Sequence, residues 1–348
     1  MYSVVRLTRF VLAALVFSGV VCAGAGASSS TAPPASAGSI GLRLVDVPAV
    51  AADDPRARIY IVDHLAPGTT IHRRVEVTNT AGSTTHVGLY AAAAAVDGGS
   101  FLGAAGHTPN DLSSWTSIRP GAADVPARGR VSAAVTIAVP SDAAPGERYG
   151  VVWAEARSAP NASSVTQVSR VGIRVYLSVG PGGPPAADFT IESLTAARSP
   201  DGRPFVRATV RNTGGRALDM NGTLQLLAGP GGLSAGPFPA TLGVTLAIGD
   251  TEPVTIVLDE QIPAGPWDAR ITLRSGLLVR DARATILFPA TGAAAPVSAE
   301  PSRPAWVHPA IAGCILLMVA LGLVLFSVKG RRPPTKRRHV ARPAIRGA

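Results

Sequence analysis

Between Ile40 and Phe288 the apolar residues recur at every second position. Val131, Ala133, Val135, Ile137 and Val139 alternate with Ser132, Ala134, Thr136 and Ala138. Val171, Ile173, Val175, Leu177 and Val179 alternate in the same way with Gly172, Arg174, Tyr176 and Ser178. A period of two puts successive side chains on opposite faces of a strand, so each segment reads as a strand with one face buried. Ile71, Val75 and Val77 show the pattern earlier. Val206, Ala208 and Val210, and then Trp267, Ala269, Ile271 and Leu273, repeat it later. Only Ala91 to Ala95 invites a helical reading, and its neighbours Val87, Leu89 and Val96 leave both periods open.

Turn-forming pairs separate these segments: Pro67-Gly68, Asp97-Gly98-Gly99, Pro120-Gly121, Pro145-Gly146, Asp201-Gly202 and Gly214-Gly215. Many short strands without strand–helix alternation predict an all-β chain of antiparallel sandwiches. The run Gly180-Pro181-Gly182-Gly183-Pro184-Pro185 follows one strong strand and precedes another strand-like block. We therefore expect two tandem immunoglobulin-like β-sandwiches, at 40–180 and 188–288, joined by a linker at 181–187. Residues 289–305, rich in Ala and Pro, read as a stalk.

The two ends break the alternation. Arg6 and Arg9 precede the apolar stretch Phe10 to Ala23 and the small residues up to Ala27, the pattern of a cleaved signal peptide at 1–27. Pro309 to Val328 is an uncharged apolar run of about 30 Å as a helix, enough to cross a bilayer, and Trp306 stands where an interfacial aromatic belongs. A single-pass helix at 306–328 with a basic cytoplasmic tail at 329–348 is expected, leaving the β region outside the cell membrane. Charge agrees with this partition. The chain carries a formal +10, but the tail holds eight cations and no acid, while the region between signal and tail holds 22 basic and 22 acidic residues. The excess is topogenic, which removes nucleic acid from the expected partners. The two cysteines, Cys22 and Cys314, lie in the signal and the membrane run, so disulfides and thiolate chemistry are excluded from the outer region.

A weak internal repeat links the two halves. Val77-Thr78-Asn79-Thr80-Ala81-Gly82 resembles Val210-Arg211-Asn212-Thr213-Gly214-Gly215, each a strand end followed by an Asn-led turn. Asn suits such a turn because its side chain caps backbone groups two residues on. Further along, Pro145-Gly146 precedes Tyr149, and Ala264-Gly265 precedes Trp267.

One stretch carries a family resemblance. Leu112-Ser113-Ser114-Trp115, then Pro120, the strand Val131 to Val139, and Val139-Pro140 through Pro145-Gly146 to Tyr149-Gly150 resemble the first domain of the WxL-interacting surface proteins of Gram-positive bacteria. The resemblance rests on Trp115, Pro140, Pro145, Gly146 and Tyr149, in structural roles. It implies a signal peptide, two immunoglobulin-like domains, a C-terminal membrane helix and a basic tail. It also implies peptidoglycan binding by the first domain and binding of proteins at the surface.

Enzymatic constellations are thin. No G-x-S-x-G, H-E-x-x-H, P-loop or dinucleotide fingerprint occurs. His64, His72 and His86 could approach one another as metal ligands, but no carboxylate pattern fixes such a site and surface histidines are the expectation. The acidic pairs Asp53-Asp54 and Asp259-Glu260 read as solvated loops. Phe288-Pro289-Ala290-Thr291-Gly292 resembles a sortase sorting signal with Phe in place of Leu, and cleavage after Thr291 would move the outer region to the wall. The same residues also read as a strand end stopped by Pro289, which cannot donate to a ladder. The sequence thus predicts a non-enzymatic envelope scaffold with no catalytic, cofactor or metal residues, binding cell-wall polymer or envelope proteins. A membrane-anchored chaperone or assembly factor acting by strand addition is the alternative.

Overall fold

Residues 40–157, 166–241 and 243–302 are described by the structure, a computed structural model of the chain. The predicted signal peptide, membrane helix and cytoplasmic tail lie outside them. Among the described residues no helix is long and apolar enough to cross a membrane.

The alternating segments form ten strands before the Gly/Pro run. These are β1 (Ile40–Leu44), β2 (Ile61–Leu65), β3 (Thr70–Asn79), β4 (Thr85–Asp97), β5 (Ser100–Gly103), β6 (Thr116–Arg119), β7 (Ala122–Val125), β8 (Arg130–Ala138), β9 (Gly146–Arg157) and β10 (Val168–Val179), with one short helix, α1 (Asp111–Trp115). Eleven follow it: β11 (Phe189–Arg198), β12 (Pro204–Asn212), β13 (Leu218–Asp219), β14 (Asn221–Leu227), β15 (Ala235–Pro239), β16 (Thr245–Leu246), β17 (Thr251–Val257), β18 (Gly265–Ser275), β19 (Leu278–Phe288), β20 (Val297–Ser298) and β21 (Glu300–Pro301).

In the first module the sheet β1-β3-β8-β6 packs against β2-β10-β9-β4, with β5 and β7 on β4. Val75, Val77, Val135 and Ile137 from one sheet and Leu89, Val152, Ile173 and Val175 from the other share a single core. Each is at most 3% exposed, and burying a side chain of this kind stabilises by about 1.5–3 kcal/mol. The second module repeats the plan, with β20-β11-β12-β17 over β15-β14-β18-β19-β21, and its own core spans Phe189 to Phe288. The run Ala91–Ala95 is strand. Ala91, Ala92 and Ala93 pair with Val152, Val151 and Gly150, so tertiary pairing overrides alanine's helix preference.

The Asn-led turns are built alike. Asn79 Nδ2 donates to the carbonyls of Ser83 (2.8 Å) and Val125 (3.1 Å), and its Oδ1 accepts from Ala81 N at 2.9 Å. Asn212 Nδ2 donates to Arg216 (2.8 Å) and Ala247 (2.9 Å), and its Oδ1 accepts from Gly214 N at 2.9 Å. Both asparagines are buried, each tying a turn to a second loop.

Two features depart from the sequence reading. The residues expected to form a free stalk continue the second module as far as Pro301. Gly292 O accepts from Arg198 N at 2.7 Å, β20 pairs with β11, and β21 pairs with β19. Apolar content is too low there to announce a strand, and pairing with preformed edges supplies the order instead. The aromatics after the two Pro/Ala-Gly turns also sit on opposite faces. Trp267, two residues past Gly265, is buried in the core, whereas Tyr149, three past Gly146, points outward. One residue of spacing reverses the face in a period of two.

Candidate functional site

The larger sheet of the first module presents its outward face along Glu147, Tyr149, Val151, Trp153 and Glu155 of β9. The register places Tyr149 opposite Tyr176, Trp153 between Tyr90 and Gly172, and Glu155 opposite Arg170. This face has two parts with different occupants.

The part nearest the Gly/Pro run is covered by the second module. Asp219 on β13 is the centre. Its Oδ1 accepts from Arg174 Nη1 (2.9 Å), Tyr176 Oη (2.7 Å) and Thr245 Oγ1 (2.9 Å), and its Oδ2 accepts from Arg56 Nε (2.8 Å). Arg56 also donates to the Ala217 carbonyl at 3.1 Å, and Glu147 Oε2 accepts from Ala217 N at 2.7 Å. Around them Phe101, Tyr149 and Tyr176 pack with ring centroids 5.1–6.4 Å apart, and Arg174 lies over Tyr60 and Phe101. Burial, with the charge of Asp219, pushes the Tyr176 hydroxyl well above the ordinary phenol range, and burial raises the Glu147 carboxyl. Arg216 is lowered by burial and then by the Arg56 charge. Asp219, held by four side-chain donors, ties the two modules at a fixed joint, while Arg216 Nε beside it is buried without a hydrogen-bond partner.

The distal part carries a smaller cluster of its own, Tyr90, Ala92 and Val151 with Trp153 packed against them. Gly172 is what admits the indole, since a Cβ there would lie 2.6 Å from the Trp153 ring. Trp153 Nε1 donates to Ala104 O at 2.9 Å, Arg170 stacks over the same ring, and Tyr90 meets His107 at a centroid distance of 4.1 Å. Glu155 accepts from Tyr90 Oη (2.6 Å), Arg157 Nε (2.8 Å) and Arg170 Nε (2.9 Å). The Tyr90 hydrogen bond, with those from the two arginines, holds the Glu155 carboxyl at about 2, while burial and Glu155 push Tyr90 up to about 12. Beside this cluster a groove of about 380 Å³ runs past Tyr90, His107, Pro109, Ser113, Ser114 and Thr116.

The edge of the same sheet is half open. β9 pairs with all of β10, but on the other side β2 reaches only Val175 to Val179. Among the described residues no strand pairs with the outer side of Val168 to Arg174. In the facing sheet β1 is also an edge, paired only with β3. Ile40 and Leu42 of β1 and Val171 of β10 are half-buried and pack on the same core, and β1 lies beside β10.

The sequence-predicted residues fall into this frame unevenly. Trp115 ends α1, half-buried against the first core, and Ser113 of the same motif forms a capping box with Asn110. Pro140 O accepts from Gly68 N at 3.1 Å, and Pro145 is exposed beside Gly146, whose φ of 137° starts β9. Tyr149 alone of the five belongs to the joint. The histidines bond separate neighbours: His64 to Ser178, His72 to Thr136, and His86 to Asp124. No three His, Cys, Asp or Glu side chains come together among the described residues. Pro289, Thr291 and Gly292 lie against the second module, with Arg198 Nε donating to Pro289 O at 3.0 Å and Thr291 exposed. Sequence reasoning missed Asp219, Arg56, Arg174, Tyr90 and Trp153. An available signal was the outward row of aromatic and charged residues on two strands whose inward rows are aliphatic.

No protein-family model matches the chain, and no curated protein does. Among solved structures it is similar to the YadV chaperone, at 10% identity over 71% of this chain and 98% of that one, with a TM-score of 0.36. A chain of the Salmonella enterica SafA pilin in complex with the SafB chaperone matches at 11% identity over 75% of this chain and 95% of that one, with a TM-score of 0.36. The Pseudomonas aeruginosa CupB2 chaperone matches at 12% identity over 65% of this chain and 97% of that one, with a TM-score of 0.34. Similarity at this level assigns this chain neither activity nor partner.

Proposed function

We propose that the chain is a non-enzymatic protein of a bacterial envelope, held by one C-terminal membrane helix with two immunoglobulin-like sandwiches outside, and that it binds an extended segment of a partner protein by strand addition. The half-open edge of β10 carries this reading. Every second residue of an unpaired edge turns its N–H and C=O outward, ready to bond another strand. A strand added beside Val168 to Arg174 would gain a backbone ladder from β10, with alternate side chains meeting the half-buried residues at that edge, which is how strand addition combines affinity with selectivity. The topological half rests on the signal-like N-terminus, the apolar run at Pro309 to Val328 and the basic tail.

The test is a photo-reactive residue at Val171 in cells of the source organism. Covalent capture of an envelope protein, reduced severalfold by Leu42→Lys on the neighbouring β1, is expected. Capture of wall polymer with no protein would overturn it.

A second reading, binding of wall polymer, is favoured by the groove past Tyr90, His107, Ser113 and Ser114, which lines aromatic rings and hydroxyls along the motif that resembles the peptidoglycan-binding family. Its test is co-sedimentation of the purified protein with peptidoglycan. Retention lost in Tyr90→Ala and His107→Ala supports it, and no retention of the unmodified protein removes it.

A further inference from the structure

The outward face of the second module, which neither reading uses, holds a polar trough. Two cavities of about 620 and 500 Å³ lie on it, and Arg270 and Arg283 line both, so together they form one elongated depression crossing β14, β18 and β19. The register makes its floor regular. Thr272 stands opposite Asp281, Arg270 opposite Arg283, and Asp268 opposite Thr285, with Gln225 next to Arg270 on β14. Ser298, Glu300 and Ser302, from the segment that follows β19, complete the wall.

The charges in this grid are partnered except at its centre. Thr272 Oγ1 donates to Asp281, and Thr285 Oγ1 donates to Asp268 at 2.8 Å. Glu300 stands 3.7 Å from Arg283 across an exposed gap. Arg270 has neither a hydrogen bond nor an ion pair among the described residues and faces a second guanidinium directly across the strands. Like charges so placed are unfavourable, and an oxyanion between them would relieve the repulsion with paired N–H donors. Asp268, Asp281 and Glu300 flank this position. They would repel a polymer with closely spaced negative charges, but their remaining oxygen lone pairs accept from hydroxyls. The trough has the size of a small-ligand site, is elongated, and is floored by polar side chains.

We infer that the trough binds a glycan carrying a single carboxylate between neutral sugars, with the carboxylate between Arg270 and Arg283 and sugar hydroxyls on Asp268 and Asp281. This site does not depend on the strand-addition edge, which lies in the other module.

The full-length chain is titrated calorimetrically with a hyaluronan tetrasaccharide, which has one carboxylate per two sugars, with the neutral tetrasaccharide of N-acetylglucosamine, and with heparin. Hyaluronan is expected to bind at least tenfold more tightly than either. Arg270→Gln should abolish that preference, and Arg270→Lys, which keeps the charge but loses the fork, should retain part of it. Both positions are on the exposed face, and an unchanged melting temperature checks that the fold is intact. Absence of hyaluronan binding, equal binding of the neutral glycan, tighter binding of heparin, or an Arg270→Gln protein that binds hyaluronan as before would each overturn the assignment.

Discussion

The two modules share a strand order and differ in what they do with their outer faces and edges. On β9 of the first module the outward positions are Glu147, Tyr149, Val151, Trp153 and Glu155. On β18 of the second they are Pro266, Asp268, Arg270, Thr272 and Arg274. The inward rows are both apolar, Val152, Ala154 and Ala156 on β9 and Trp267, Ala269, Ile271 and Leu273 on β18, because a core asks for apolar volume at alternate positions. The edges diverge as well. In the first module β2 covers Val175 to Val179 of β10, whereas in the second β20 covers only Ser193 and Leu194 of β11 and β21 only Ala282 and Arg283 of β19. A sandwich core is thus a common support, and individuality lies in the outward parity and at the strand edges.

The largest effect should come from breaking the joint that makes the two modules one body. Asp219→Ala removes the acceptor for Arg56, Arg174, Tyr176 and Thr245, leaving two guanidiniums largely buried and unpaired. A loss of about 3 kcal/mol is expected, with a single denaturant transition separating into two. One unchanged transition would show that the modules are held together elsewhere.

Next in size is the shared turn. Asn79→Ala and Asn212→Ala each strand buried carbonyls, and each should cost about 2–3 kcal/mol. Chemical denaturation of the two variants should give matching losses, and a difference above about 1 kcal/mol would break the equivalence of the turns.

Acid separates the two parts of the first module's face. Glu155 has its folded pKa depressed to about 2, so its stabilisation is present above the unfolded value and is lost as pH falls toward 2. Glu147 is raised by burial, so its contribution has the opposite sign. It favours folding below the unfolded value and loses that contribution as pH rises through the folded one. Glu155→Gln should therefore flatten the acid limb of a melting-temperature profile, and Glu147→Gln should steepen it. Smallest of all is His86→Ala. The His86–Asp124 contact of 2.7 Å joins side chains 71% and 72% exposed, and a change below about 0.5 kcal/mol is expected by the same melts.

Much of the fold was legible because burial and pleating share one period. Val131 to Val139 and Val171 to Val179 name both their strands and their inward faces, and Asn79 and Asn212 name their turns. The functional surface was less legible, for a reason Tyr149 and Trp267 make plain. Each follows a glycine turn and reads as the same element, yet one extra residue sends Tyr149 outward to Asp219's neighbours and leaves Trp267 in the core. Residues 289–301 show the converse, since a segment with little apolar content is ordered by edges that only the folded module provides.

By itself the sequence determined the all-β class, the pair of repeated strand patterns, the absence of cysteine chemistry outside the ends, and the placing of excess charge in the tail. These follow from local periodicity and composition. Tertiary structure decided the Asp219 joint, the seating of Trp153 over Gly172, the opposition of Arg270 to Arg283 and the unpaired half of β10. Each of these depends on register between strands far apart in the chain, and a strand's own sequence does not state which neighbour it will have or where that neighbour stops.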